Sequence, residues 1–213
     1  MGEFKHISVL LQESIDALNI KPDGIYVDGT AGGAGHSREI AKRLTSGRLL
    51  ALDKDPQAVA VATERLKEYP NATVIHSDFS RLCEVLDEQK IDGVDGILLD
   101  LGVSSYQLDE AQRGFSYHAD AKLDMRMSME GTSAYDIVNN CSVDELARIL
   151  REYGEEKFAY KIACQIDKHR KNQPIETTTQ LSQIINQSFP PKMRWEGKNP
   201  SKRSFQAIRI AVN

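Results

Sequence analysis

The sequence predicts an α/β chain: a doubly wound, mostly parallel sheet with an inserted helical domain. Three observations carry that expectation. Four short apolar runs alternate with helical patterns through the first hundred residues, each run reaches an aspartate at or soon after its end, and past Asp100 only helical periods return. Strands alternating with helices through short connections require right-handed parallel crossovers, which is the doubly wound arrangement.

The elements follow in order. Ile7, Leu10, Leu11, Ile15 and Leu18 lie at helical spacing over residues 7 to 19, an amphipathic helix closing against the sheet, and Pro22-Asp23-Gly24 ends it. A strand through Val27 reaches Asp28 and passes directly into Gly29-Thr30-Ala31-Gly32-Gly33-Ala34-Gly35, with a helix expected from about 36 to 45. Arg48 to Asp53 reads as the second strand, and Asp55-Pro56 as the cap and first position of a helix running to about Tyr69. Thr73 to His76 is the third strand, Ser77-Asp78-Phe79 its loop, Ser80 to Lys90 a helix, and Ile97 to Asp100 the fourth strand.

Residues 101 to 132 form a long mixed stretch. A loop of that length is functional or disordered, and its aromatic and methionine content argues against disorder. Helical period resumes at Ser133, with a segment to Asn139, then Ser142 to Glu145 as a capping box opening a helix to Tyr153. Gly154 breaks it, and further helices cover Glu155 to Arg170 and Thr178 to Ser188, stopped by Pro190-Pro191. Ser201 to Asn213 places Phe205, Ile208 and Val212 on one face. The expected division is a core over 1–105, a mainly helical substrate-recognition insert over 106–200, and a return helix to the core over 201–213. A sheet ending at its fourth strand leaves an unprotected edge, so it is expected to be incomplete within these residues.

Composition narrows the class. Of 213 residues, 40% are apolar and 27% charged, ordinary for a globular protein. No apolar run approaches the roughly 18 residues of a membrane span. Glu3, Lys5 and His6 interrupt a signal-peptide pattern, and His6 stands where a myristoylation signal needs Ser or Thr, so the expectation is a cytoplasmic protein with no membrane partner. Cys83, Cys141 and Cys164 are far apart and the histidines dispersed, which implies neither a disulfide framework nor a metal site. Net charge is −4, yet Lys192, Arg194, Lys198, Lys202, Arg203 and Arg209 crowd residues 190–213 against Glu196 alone. That segment is either a solvated basic surface or a phosphate contact.

The glycine turn after Asp28 has the grammar of a nucleotide-type site, because glycines let the backbone bend and approach a ligand. The dinucleotide fingerprint cannot be placed, since Arg38 falls where its third glycine belongs, and no Gly-Lys-Ser/Thr follows for a P-loop. An S-adenosylmethionine (AdoMet) turn fits better, with Asp28 as its acid and Gly32 as its central glycine. Thr30 and Ala34 depart from it, standing where that pattern usually has glycine, and a plain strand-to-helix turn is the competing reading. Asp28, Asp53, Asp78 and Asp100 all fall on the rim where such sheets bind ligands. Asp53 suits ribose hydroxyls and would repel a phosphate there, Phe79 suits the adenine face, and the rim offers no cation for phosphates. A phosphate-free adenosyl ligand is expected.

These residues together resemble the MraW family, AdoMet-dependent methyltransferases that modify N4 of a cytidine in the decoding region of bacterial small-subunit ribosomal RNA. The resemblance rests on His6 through Leu11 with Glu13, Tyr26 through Thr30 with Gly35-His36-Ser37, Asp53 with Asp55-Pro56, Gly96 through Ser105 with Gln107-Leu108-Asp109, Arg113 through Ser116, Leu123 through Met127, Tyr153 through Glu156, and Arg203 to Asn213. Departures are Tyr106, Ala121-Lys122 and Asn199-Pro200-Ser201-Lys202, which bear on local loop shape. The family chain continues further and supplies the remaining strands of a Rossmann-like sheet.

The resemblance implies AdoMet against Ala34, Gly35 and His36, with Asp53 on the ribose, Phe79 at the adenine, and Asp100 and Gln107 completing the pocket. It implies small-subunit ribosomal RNA, or the assembled small ribosomal subunit, as partner; a homodimer stays open. Methyl transfer to a cytosine amine needs hydrogen-bond acceptors for its N–H groups, and Asp100 or the Ser104/Ser105 backbone is expected to hold it. Phe115 or Tyr117 would stack on an unstacked base unless both are core, Asp124 and Arg126 would meet substrate unless they pair with each other, and Lys202, Arg203 and Arg209 would meet phosphates. A small-molecule AdoMet methyltransferase and a non-catalytic RNA-binding assembly factor are the rival readings.

Overall fold

The computed structural model describes residues 8–104, 107–108, 110–191 and 199–213. The chain divides into two compact units, Met1–Gly102 and Val103–Asn213.

In the first unit, helix α1 (Leu11–Leu18) precedes strand β1 (Ile25–Asp28), followed by α2 (Gly35–Arg43), β2 (Arg48–Asp53), α3 (Pro56–Leu66), β3 (Ala72–His76), α4 (Leu82–Glu88) and β4 (Gly96–Leu98). The strands lie in the order β3-β2-β1-β4, all parallel, as the alternating pattern predicted. Tyr26 and Leu49 pack with Ile15, Ile40 and Leu44 of the flanking segments on one face, while Val27, Leu50 and Leu52 meet Val85 and Ile91 on the other. Both faces are therefore dry, which is why the central strands read as unbroken apolar runs. Winding runs from β1 outward to β3, then back across to β4. This reversal puts the topological switch point at the C-terminal ends of β1 and β4, where such sheets bind ligands.

Several boundaries differ from expectation. Helix α1 begins at Leu11 because Leu10 is in the left-handed region (φ 49°), and Ile7 lies outside the described residues. Helix α3 stops at Leu66, where a turn closes from Tyr69 N–H to the Leu66 carbonyl. A 3-10 turn over Phe79–Arg81 precedes α4. Strand β4 ends at Leu98, not Asp100: the Leu98 carbonyl accepts the N–H of Gly29, where β1 has already turned away, so the ladder has no further partner.

The second unit holds α5 (Ala134–Asn140), α6 (Val143–Glu152), α7 (Ala159–Arg170), α8 (Thr178–Ser188) and α9 (Ser201–Val212). Reciprocal capping boxes open α5 (Ser133 with Asp136) and α8 (Thr177 with Gln180). At α6, Ser142 caps Glu145 N–H, while the Glu145 carboxylate turns to Arg148. The anticipated return helix α9 packs in this unit: Phe205, Ala207 and Ile208 enter the cluster of Leu146, Leu150, Ile162 and Leu181. Gly154 permits that packing, since a Cβ there would lie 2.6 Å from the Arg203 carbonyl oxygen.

Candidate active site

The turn from β1 into α2 is held by the side chains the sequence pointed to, but they hold it differently from one another. Asp28 is only 1% exposed; its Oδ2 accepts from Ser37 Oγ at 2.6 Å and its Oδ1 from Thr30 N–H at 3.1 Å. Burial pushes its carboxyl pKa up, against the pull of Ser37 and Thr30. Asp28 is therefore a brace inside the turn and not a ligand-facing acid. Asp53 accepts from Gly32 N–H at 2.8 Å through Oδ2 and from Asp55 N–H at 2.9 Å through Oδ1. Partial burial raises its pKa, opposed by those two N–H groups. Asp78 caps Ser80 at 2.8 Å and meets Lys54 at 3.6 Å. Burial works to raise its pKa, but Ser80 and Lys54 outweigh burial and leave it below the usual value. Lys54 corrects the expectation of a cation-free rim, although its charge is paired.

Asp100 is the contrast. Its N–H donates to Thr30 Oγ1 at 2.7 Å, its side chain is exposed, and among the described residues its carboxylate has no hydrogen-bond or ion-pair partner. Of the four rim acids it is the one whose charge is left for a ligand. Gly29 lies between the loops: a Cβ there would sit 2.5 Å from Leu99 Cδ2 and 3.0 Å from Phe79 Cβ. Phe79, 37% exposed, thus flanks the same turn that Asp53 and Asp100 contact. Ala34 is buried at φ 59°, and Gly32 is at φ 49°, where a Cβ would meet the Thr30 carbonyl oxygen at 3.8 Å. His36 turns its Nε2 to the Val9 carbonyl at 3.2 Å, so its ring is occupied and its backbone is what the start of α2 offers.

These features suit an adenosyl group. Asp53 keeps acceptor capacity on both oxygens, Gly32 leaves the turn without a side chain there, and Phe79 borders the turn. Sequence reading missed Thr30, Ser37, Lys54 and Arg65, whose Nη1 donates to the Gly33 carbonyl at 2.6 Å. The polar character of Thr30 within a glycine turn and the place of Ser37 in the Gly35-His36-Ser37 match were the signals for two of them.

The second unit holds the remaining candidates. Ser104 and Gln107 bond reciprocally, Ser104 N–H to Gln107 Oε1 at 3.0 Å and Gln107 N–H to Ser104 Oγ at 3.2 Å. Ser105 lies outside the described residues, as do Lys192, Arg194, Glu196 and Lys198 of the basic segment. Phe115 is 1% exposed inside the helical core, which corrects its expected role as a base-stacking platform: no face is available. Tyr117 is partly buried edge-on to Phe205, with ring centroids 5.4 Å apart. Arg126 grips Asp124 through two nitrogens at 2.6 and 3.0 Å, the structural ion pair. Burial opposes it, but Arg126 draws the Asp124 pKa below the usual range. Arg209 donates to the Phe115 carbonyl at 2.8 Å and burial lowers its pKa, so it anchors the core instead of facing phosphates. Lys202 and Arg203 are exposed, with one Arg203 nitrogen on the Glu155 carbonyl at 3.1 Å.

A parallel sheet wound 3-2-1-4, a glycine turn at its switch point and an exposed carboxylate beside that turn define a Rossmann-like, nucleotide-type enzyme core. The sequence pattern of the MraW methylase family matches residues 3–213, and the chain belongs to that family. It is 59% identical to ribosomal RNA small subunit methyltransferase H of Lachnospira eligens, over 99% of this chain and 68% of that protein. It is 57% identical to the protein of the same name from Clostridium botulinum (strain 657 / Type Ba4), over 99% of this chain and 69% of that one. Among solved structures, a precorrin-6y C5,15-methyltransferase from Geobacter metallireducens shares 21% identity at a TM-score of 0.40, over 57% of this chain and 65% of that one. Among the described residues, no helix is long and apolar enough to cross a membrane.

Proposed function

We propose that this chain carries AdoMet-dependent methyl transfer to N4 of a cytidine in small-subunit ribosomal RNA, in the cytoplasm where ribosomal subunits are made. The observation that carries the reading is membership of the methylase family along residues 3–213, joined to relatives at 57–59% identity named as small-subunit ribosomal RNA methyltransferases. Bound AdoMet supplies a methyl group activated by a sulfonium. The residues of this chain then have distinct tasks. Asp53 accepts the ribose hydroxyls, Phe79 lies against the adenine, and the backbone of Ala34, Gly35 and His36 lines the turn. Asp100 accepts an N–H of the cytosine amine, which restores lone-pair density that the ring otherwise withdraws, and its negative charge stabilises the positive charge that develops on N4 as the methyl arrives, until the proton passes to solvent. Lys202 and Arg203 take RNA phosphates, and Tyr117, partly buried against the helical core, is the aromatic placed to stack on a base.

Labelled AdoMet supplied with assembled small subunits, or with naked small-subunit RNA, tests this. Label at a cytidine N4 of the decoding region supports it. Transfer to small molecules with neither RNA form labelled would favour the small-molecule reading, and absence of AdoMet binding would favour an assembly factor.

A further inference from the structure

We propose that Thr30 is a positioning residue that holds Asp100 in place for the acceptor amine, an inference that rests on the methyl-transfer reading above. Glycine suffices at this place for the turn to bend, so a hydroxyl there is an addition the turn does not need. The structure gives that hydroxyl a partner 70 positions away: Thr30 Oγ1 accepts the Asp100 N–H at 2.7 Å. Thr30 N–H in turn donates to Asp28 Oδ1 at 3.1 Å, and Ser37 Oγ donates to Asp28 Oδ2 at 2.6 Å. A line of hydrogen bonds thus runs from α2 through the end of β1 to the loop past β4.

The two ends of that line differ in rigidity. Asp28 and Ser37 are buried, while Leu99, Asp100, Leu101 and Gly102 are all exposed and past the last ladder bond of β4. An exposed segment of this kind samples many backbone states unless something ties it down. Thr30 ties it at the residue whose carboxylate has no partner among the described residues, and ties the backbone, so the bond uses none of the side chain's acceptor capacity. The switch point supplies the geometry, because β1 and β4 are adjacent there and their following loops must diverge. The turn on the β1 side faces the adenosyl group; the loop on the β4 side carries the acid for the methyl acceptor. A single hydroxyl fixes the spacing between the two.

Thr30→Val keeps the branched shape and removes the acceptor, whereas Thr30→Ser keeps it. Loss of one positioning hydrogen bond predicts kcat on small subunits about tenfold lower for T30V. T30S should return kcat to within about threefold of the parent on the same reasoning. Because Thr30 acts through Asp100, T30V should add no further loss in an Asp100→Asn background, the signature of two residues in one unit. Hydrogen exchange gives a readout independent of catalysis. The Asp100 amide should exchange at least about tenfold faster in T30V than in the parent or T30S, and Thr30→Ala serves equally if T30V folds poorly. Parental kcat in T30V, equal impairment of T30V and T30S, full multiplicative loss in the double variant, or unchanged amide exchange would each overturn the proposal. A parent protein that labels no ribosomal RNA would instead defeat the methyl-transfer reading, and the exchange result would still decide whether Thr30 holds Asp100.

Discussion

Ser37→Ala is the sharpest test of how the turn is built. Ser37 is fully buried on α2, and its hydroxyl satisfies one oxygen of a carboxylate that is itself 1% exposed. Hydrogen bonds to charged groups contribute about 1.5–3 kcal/mol, and removing this one leaves a buried charge with Thr30 N–H as its remaining partner. Where Asp28 is ionised a loss of about 2–3 kcal/mol is expected, which for a chain of this length lowers Tm by roughly 5–10 °C. The loss depends on pH with a definite sign. Burial raises the Asp28 pKa above its ordinary 3.8, so the folded protein keeps the proton to higher pH than the unfolded chain. Stability therefore falls as pH rises from near 3.8 through the folded-state pKa, and the cost of the buried charge is complete above it. Ser37 pulls that pKa down, so its removal extends the window upward, and the S37A deficit grows from pH 4, where a neutral hydrogen bond of about 1 kcal/mol is lost, to a pH above the folded-state pKa. Urea denaturation followed by circular dichroism at both pH values measures this. A deficit below about 0.5 kcal/mol above that pKa, or one that is larger at pH 4, would refute the account of Asp28 as a buried brace held by Ser37.

Two other substitutions separate the roles assigned here. Asp53→Ala removes the acceptor for Gly32 and Asp55 N–H together with the proposed ribose contact; calorimetry should show AdoMet affinity at least about tenfold weaker, and unaltered affinity would remove Asp53 from the site. Phe115→Ala should cost about 3–5 kcal/mol of unfolding free energy, the usual penalty for a core aromatic, and a stable variant impaired only in RNA binding would restore the base-stacking role.

What could be read from residues alone was whatever is local or periodic. Arg48–Asp53 and Thr178–Ser188 form as the patterns predicted, because an unbroken apolar run and a cap followed by a 3.6-residue period are properties of neighbouring residues. The turn after β1 was legible for the same reason, since acid and glycines are contiguous there. The end of β4 was not, because a strand stops where its partner leaves, and the partner is β1, some seventy residues earlier.

The sequence by itself determined the class of fold, the place of the nucleotide-type turn and the chemical types gathered on its rim. Tertiary structure alone decided how each group is spent. Four aspartates looked equivalent on the rim, yet Asp28 is sealed, Asp53 and Asp78 brace turns, and Asp100 alone keeps a carboxylate without a protein partner among the described residues. Phe115 and Arg209 looked like RNA contacts and became core, and the apolar face of α9 entered the second unit. The physical reason is common to all of these: residue type states what bonds and burial a side chain can make, but which of them is made depends on atoms brought near from distant parts of the chain.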